Sequence, residues 1–238
     1  YVIAARPRRG KSVLCAQAAR AAAGAGYRVL AFTLEMPPAQ VVGRLLLAEG
    51  RVDRWSLRSS KQGESLQRIA WAAGQLQPLP LWFDSRESPT IAQITATARR
   101  MKGTHGLDLV VVDYLQRCAV DRKADRWVAV GDLVRGLKSL ARQLDVPVIC
   151  AAQLNRQAEH DKPNLGQLRE AGDIEQEADV VGFLHPHDMG TTPEKVMELD
   201  YPPVDLWLEK NRHGPSAIVG LSLERRFTRF VERAEEKA

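Results

Sequence analysis

Cysteine is scarce in this 238-residue chain: Cys15, Cys118 and Cys150 stand far apart and fit no metal-ligand or disulfide spacing. That argues against a disulfide scaffold or a zinc ribbon, and makes buried thiols in a reducing compartment the expectation. Aromatic residues are few, at 6%, and Trp55, Trp71, Trp82, Trp127 and Trp207 are scattered as core or interface residues are, with no base-stacking platform. No apolar run approaches the ~18 residues of a membrane span, and no signal-peptide pattern opens the chain. The expectation is therefore a cytoplasmic protein without a membrane partner. Acidic excess is also missing: a formal charge of +5 and a pI near 9.3 admit a nucleic-acid partner without requiring one. The pair of histidines in His185-Pro186-His187-Asp188 has no further ligand cluster beside it and reads as a loop. What remains, 45% hydrophobic and 26% charged, is enough for one large core. The first residue is Tyr1, already in a strand, so a longer protein is expected, with an upstream domain and linker outside this chain.

The chain is organised around its first residues. Tyr1–Ser12, YVIAARPRRGKS, is a short apolar strand, a turn, and then Gly10-Lys11-Ser12 opening an Ala-rich helix. This is the P-loop pattern, in which backbone N–H groups of the loop and helix start wrap nucleotide phosphates. Lys11 would meet the β/γ-phosphates, and the Ser12 hydroxyl would take one position on Mg²⁺. Gly10 lets the backbone approach a phosphate oxygen where a Cβ would obstruct it. Ala5 stands where the general pattern has its first glycine. A chance Gly-Lys-Ser in a basic turn is the competing reading, and the strand before and helix after weigh against it.

Strand patterns recur at Arg28–Leu34, Leu81–Asp84, Asp108–Asp113, Pro147–Ala152 and Asp179–Leu184, with helical patterns over Ser12–Ala23, Pro37–Glu49, Glu64–Leu76, Thr90–Lys102 and Arg126–Leu144. The last of these carries the clearest apolar stripe, Trp127, Val130, Leu133, Val134, Leu137, Leu140 and Leu144. Residues 51–63 read as a loop, and a long polar stretch, 155–177, separates the strand patterns on either side of it. Asp205–Lys210, Ala217–Leu223 and Phe227–Val231 read as antiparallel edge strands. Alternating strands and helices predict one α/β domain over 1–233 with a mainly parallel sheet flanked by helices, followed by a charged tail over 234–238.

Three polar residues close strands. Asp113, after Leu109-Val110-Val111-Val112, lies where α/β sheets place their ligands and can hold a metal from the side opposite Ser12. Glu35 ends the second strand, expected beside the P-loop strand, and can orient and deprotonate water. Gln153 ends the strand after Asp113 and can sense the γ-phosphate. Each alone is also what any solvated strand end looks like; three together are harder to dismiss.

These residues resemble the C-terminal motor domain of the DnaB-type replicative helicase family, which has the RecA-like P-loop NTPase fold. ARPRRGKS is similar to that family's P-loop, where alanine in the first glycine position is usual. Thr33-Leu34-Glu35-Met36 resembles its catalytic-glutamate motif, Val111-Val112-Asp113-Tyr114-Leu115-Gln116 its Walker B segment, and Ala152-Gln153-Leu154-Asn155-Arg156 its γ-phosphate sensor. Leu168–Asp179 is similar to the segment with the DNA-gripping loop, and Glu209-Lys210-Asn211-Arg212-His213-Gly214-Pro215 to the hairpin that delivers a finger to the neighbouring subunit.

The resemblance implies an ATP- and Mg²⁺-dependent helicase, moving 5'-3' on single-stranded DNA as a homo-hexamer. A primase and a helicase loader are implied as partners through the upstream region, and a bacterial or phage-infected cell, near the nucleoid, as the setting. Ala5, Arg6, Pro7, Gly10, Lys11, Ser12 and Val13 would bind the nucleotide, with Ser12 and Asp113 on the metal. Glu35, Gln153, Lys210 and Arg212 would be catalytic, the last two in trans. Arg169, Glu170 and Gly172 would meet DNA, with Arg117, Arg122, Lys123 and Arg126 as a second basic loop that reads equally well as a solvated charge run. The sequence departs from the family pattern at Arg8-Arg9, which would add charge beside the phosphates. The rivals are a RecA/RadA-type recombination ATPase, which shares fold and P-loop, and a non-catalytic loader or ring-assembly module.

Overall fold

The computed structural model describes residues 1–58, 62–115, 118, 126–155, 163–168 and 171–233. The predicted α/β architecture is the one observed. Among the described residues, nine strands form a single sheet in the order β3-β2-β4-β5-β1-β6-β7-β8-β9. The strands are β1 (Val2–Ala5), β2 (Val29–Thr33), β3 (Leu81–Asp84), β4 (Leu109–Asp113), β5 (Val148–Gln153), β6 (Val180–Pro186), β7 (Pro203–Asn211), β8 (Ala217–Glu224) and β9 (Arg229–Glu232). Those from β3 to β6 in the sheet pair in parallel, and β7, β8 and β9 add antiparallel at one edge.

The helices are α1 (Lys11–Gly24), α2 (Pro38–Gly50), α3 (Gln62–Leu76), α4 (Ile91–Thr104), α5 (Arg126–Leu144), α6 (Ala171–Glu177) and α7 (Pro193–Glu198). Local chemistry sets several of their ends. Pro38 occupies a first-turn position of α2, where its fixed φ suits the helix and its missing N–H is no loss. Thr90 caps α4 through a reciprocal box with Gln93, hydroxyl oxygen to one N–H and side-chain oxygen to the other. Cys15, Ala19 and Ala23 recur every four residues on α1 and are buried against Val29, Ala31, Val111 and Ala151. Small side chains there bring the helix close to the sheet. The opposite face of the sheet is covered by α4, α5 and α6, with Val130, Leu133, Val134, Leu137 and Leu140 facing Leu30, Val110 and Val112.

Two expectations need correcting. Glu35 does not follow a strand beside the P-loop strand: β4 and β5 lie between β2 and β1, because parallel crossovers let consecutive strands land several places apart. The polar stretch 155–177 holds a 3₁₀ turn at Leu165–Gln167 and the seven-residue α6. A helix that short shows too little apolar period to read, with Ile174 its one buried hydrophobic side chain among the described ones. Within 51–63 there is likewise a 3₁₀ turn at Arg54–Arg58. The sequence reading also passed over α7, although Thr192 caps it and Pro193 opens it. Cys15, Cys118 and Cys150 are free and buried. Burial pushes the Cys118 thiol up to about 12 and Cys150 to about 11, so both stay protonated.

Candidate nucleotide site

The loop between β1 and α1 opens on a cleft of about 560 Å³ at the C-terminal end of the parallel strands. Arg6, Pro7, Gly10, Lys11, Ser12 and Val13 line it, as do Glu35 and Gln153 from the ends of their strands. Ala5 does not: it is fully buried beneath the loop, its carbonyl taking the Leu154 N–H. Gly10 has φ +90, and a Cβ there would come within 2.6 Å of Phe230 Cζ on β9. Only glycine meets both conditions. No side chain caps the start of α1, which leaves its first N–H groups turned to the cleft for an anion.

The charged groups of the cleft act on one another. Lys11 is 9% exposed, with Nζ 4.5 Å from the centre of the Tyr114 ring. Burial lowers its pKa, against the pull of Asp113, Glu35 and Cys15. Burial likewise raises that of Asp113, opposed by a hydrogen bond from the Ser12 hydroxyl and by Lys11 and Arg44, while Glu35 pushes it further up. Each of two buried charges is thus disfavoured by desolvation and relieved in part by the other. Asp113 Oδ1 keeps no hydrogen-bond partner.

Arg8 and Arg9 part company. Arg8, in the left-handed region at φ 64, lines the cleft. Arg9 turns inward to 7% exposure and donates to the Pro193 carbonyl at 2.8 Å and to Glu194 at 2.9 Å. The expectation that both add charge beside the phosphates is therefore corrected for Arg9, which ties the loop to α7. Arg6 donates to the Leu154 carbonyl at 3.2 Å, binding the loop to the segment after β5.

Sequence reading missed Arg44, Tyr114, Leu223, Arg225 and Thr228, all on the cleft wall. Arg44 had a signal, as a lone cation inside the apolar run VVGRLLL of α2. Arg225 and Thr228 had none, because only the sheet order brings the β8–β9 turn back over the loop. Gln17 was also unforeseen. Its amide bonds both ways with the Phe230 backbone, donating to the carbonyl at 2.8 Å and accepting from the N–H at 2.8 Å, and so holds β9 against α1.

Lys210 and Arg212 lie elsewhere. Lys210 pairs with Val181, which pairs with Val2 at the start of β1, whereas the loop leaves from Ala5, level with Leu184. That is three residues, roughly 10 Å along the sheet, before the loop even begins. Lys210 donates to the Glu175 carbonyl, and Arg212 to Asp179 at 3.1 Å and the Gln176 carbonyl at 2.9 Å. Both cations thus rest on the C-terminal end of α6 and just beyond it, where a helix favours positive charge. Lys138 also donates to Asp179 and, before Arg212, holds that carboxyl below its usual pKa. Gly172 lies in the first turn of α6. Arg117, Arg122, Lys123, Arg169 and Glu170, the Arg126 side chain and the tail 234–238 fall outside the described residues.

The DnaB-like helicase C terminal domain family matches residues 1–232. The chain belongs to that family. As a DnaB-like domain it is 38% identical over 242 residues to a replicative DNA helicase DnaB of Leifsonia xyli, covering 98% of this chain and 51% of the relative. It is 34% identical over 237 residues to one of Geobacillus stearothermophilus, covering 97% and 51%. The DnaB-like domain thus spans about half the length of these curated relatives. Among solved structures it superposes on an ATPase domain with a TM-score of 0.87 at 27% identity, covering 98% of this chain and 84% of that one. A DnaB-like replicative helicase, solved for its interactions with primase, gives a TM-score of 0.86 at 27% identity over 97% of this chain and 56% of that one.

The cleft suits a nucleotide with a divalent cation. An orphaned buried carboxylate oxygen, a neighbouring serine hydroxyl and a glycine held against a ring are what such a ligand asks of its site. Among the described residues no group of three or more His, Cys, Asp or Glu converges on a metal position. No described helix is long and apolar enough to cross a membrane.

Proposed function

We propose that this domain is the ATP-hydrolysing motor of a replicative DNA helicase, working as a ring of six identical copies on single-stranded DNA with 5'-3' polarity. The observation that carries the reading is the split between the two ends of the sheet. Lys11, Ser12, Glu35 and Gln153 line the cleft at one end, with Asp113 buried near Lys11, Ser12 and Glu35, while Lys210 lies at the other end with Arg212 just past it. Arg6, Arg8, Arg44 and Arg225 share the cleft wall with Lys11, but the two cations that the family resemblance assigns to catalysis lie too far along the sheet to serve their own cleft, so in this reading they serve a neighbour's.

In this reading the loop N–H groups and Lys11 bind and orient the β/γ-phosphates, and Ser12 and Asp113 hold Mg²⁺. The metal neutralises charge that develops on the phosphates during transfer. Glu35 orients water and takes its proton, and Gln153 reports the γ-phosphate. Lys210 and Arg212 of the adjacent copy stabilise the transferring phosphoryl group. Arg169, Glu170 and Gly172 would grip the strand backbone, aided by Arg117, Arg122, Lys123 and Arg126; such contacts position DNA without reading sequence. Primase and a loader are the proposed partners of the whole protein.

The test is phosphate release by the full-length protein with and without single-stranded DNA, beside unwinding of a forked duplex and the mass of the assembly. Turnover stimulated by the strand, unwinding with ATP and a six-copy mass are expected. Strand-stimulated turnover on a filament without unwinding would instead favour a recombination ATPase, and no turnover a loader module.

A further inference from the structure

Two buried polar atoms at neighbouring strand ends behind the cleft wall have no hydrogen-bond partner, Thr33 Oγ1 and Asp113 Oδ1. Both residues are buried, at 9% and 8% exposure. They are direct neighbours in the β2–β4 register, and the Leu34 N–H donates to the Asp113 carbonyl at 2.8 Å, carrying the pairing past the strand ends. Alternation along a strand puts both side chains on one face. Val29 and Ala31 precede Thr33 at steps of two, Leu109 and Val111 precede Asp113 likewise, and all four pack in the core that α1 covers. Thr33 therefore sits beneath the phosphate-facing start of α1. It adjoins the carboxylate that Ser12 bonds and stands two residues before Glu35.

A strand end buried in this way suits a β-branched residue, and valine would fill the same space with no polar atom. An orphaned hydroxyl there is costly and calls for an explanation. An ionised carboxylate only accepts, whereas a hydroxyl both donates and accepts. One water can bond both, and magnesium keeps several of its waters when protein-bound.

We propose that Thr33 is a positioning residue for the divalent cation: its hydroxyl and Asp113 Oδ1 together orient one water of the ion's hydration shell. The proposal rests on the reading of this cleft as a nucleotide–cation site. Groups that hold a metal's immediate surroundings change its affinity about 10–100-fold when removed, and a hydroxyl shared through one water belongs at the lower end.

The experiment is Mn²⁺ titration, followed by electron paramagnetic resonance, of the full-length protein with ADP, using wild type, Thr33→Val, Thr33→Ser and Asp113→Asn. Thermal unfolding without nucleotide runs alongside. Thr33→Val should bind Mn²⁺ about tenfold more weakly while its nucleotide-free melting temperature holds or rises, since an unsatisfied hydroxyl has become a methyl group of the same shape. Thr33→Ser should bind the ion as wild type does. Wild-type Mn²⁺ affinity in Thr33→Val overturns the proposal. So does weaker binding that comes with a lower melting temperature and is not restored by serine, which is what a packing role predicts. Wild-type affinity in Asp113→Asn would overturn the underlying cleft reading as well, which separates the two failures.

Discussion

Replacing Arg212 with alanine separates a shared site from a self-contained one. The guanidinium is 41% exposed and its partner Asp179 is 30% exposed, and pairs that open to water contribute at most about 1 kcal/mol. Asp179 retains Lys138, so no buried charge is stranded and the melting temperature should hardly move. Nucleotide affinity should not move either, because Arg212 is not on the wall of its own cleft and its strand neighbour Lys210 is level with the wrong end of β1. Turnover is another matter. A cation delivered to a transferring phosphoryl group is worth about 10³–10⁵ in kcat, or about 4–7 kcal/mol of barrier. Lys210→Ala should lose less, since an ammonium is a point charge without the fork of donors that guanidinium offers.

The assay is strand-stimulated phosphate release by the full-length protein, with fluorescent-nucleotide binding and thermal unfolding on the same preparations. Arg212→Ala subunits would then be mixed with Lys11→Ala subunits. Each kind lacks a different half, and a seam that joins an intact cleft to an intact finger should recover turnover. Equal kcat in wild type and Arg212→Ala would refute the argument, as would a fall in kcat matched by a fall in nucleotide affinity.

Gly10→Ala should cost roughly 1–2 kcal/mol for the left-handed backbone and about 1–3 kcal/mol for crowding Phe230; denaturant titration would measure it, and Phe230→Ala should relieve only the second part. Gln17→Leu strips the Phe230 N–H and carbonyl of their partners, which should lower stability by about 1–3 kcal/mol in the same titration. Burial holds Asp113 above its ordinary 3.8. The folded state therefore keeps a proton that the unfolded state gives up, and that contribution to stability, full below 3.8, is lost as pH rises through the raised value. Nucleotide-free Asp113→Asn should escape this decline and melt higher than wild type at neutral pH, while losing Mg²⁺-dependent nucleotide binding. Binding to single-stranded DNA should weaken by ~0.7 log units per neutralised phosphate for each log unit of salt; a salt-independent interaction would contradict backbone contact.

The parts of the fold that could be read from residues were those with a long period or a sharp local rule. DLVVVD could only be a buried strand, the Arg126–Leu144 stripe only a long amphipathic helix, and Gly10-Lys11-Ser12 only a loop feeding α1. Short elements escaped: α6 spans under two turns, and its fully buried Ile174 carries no period by itself. Strand order escaped as well, because nothing in Arg28–Leu34 says that two other strands will be inserted between it and β1. For the same reason the residues found in advance were those that end parallel strands, Glu35, Asp113 and Gln153. Those missed, Arg225 and Thr228, reach the cleft through the antiparallel edge. Thr33 was visible as a letter in a motif, but only the register against Asp113 gives its hydroxyl something to do.

In the proposed ring, the antiparallel edge would let one domain supply both halves of a site. Phe230 on β9 braces Gly10, and the β8–β9 turn brings Arg225 and Thr228 to the cleft wall. β7 runs the other way, so it finishes at the far end of the sheet with Lys210 and Arg212 on the Glu175 and Gln176 carbonyls in the last turn of α6. Had β7 joined the sheet in parallel, its last residues would lie beside the loop of their own chain, and a finger there could serve in cis. Reversing the strand puts the cations one sheet-length away from their own phosphates while keeping them on the same rigid layer. Lys210 and Arg212 are hydrogen-bonded to Glu175, Gln176 and Asp179 at the end of α6. If Arg169 and Glu170 grip DNA and the two cations act in trans, as proposed, α6 would link a pull on the strand to the placement of a cation at the next copy's cleft.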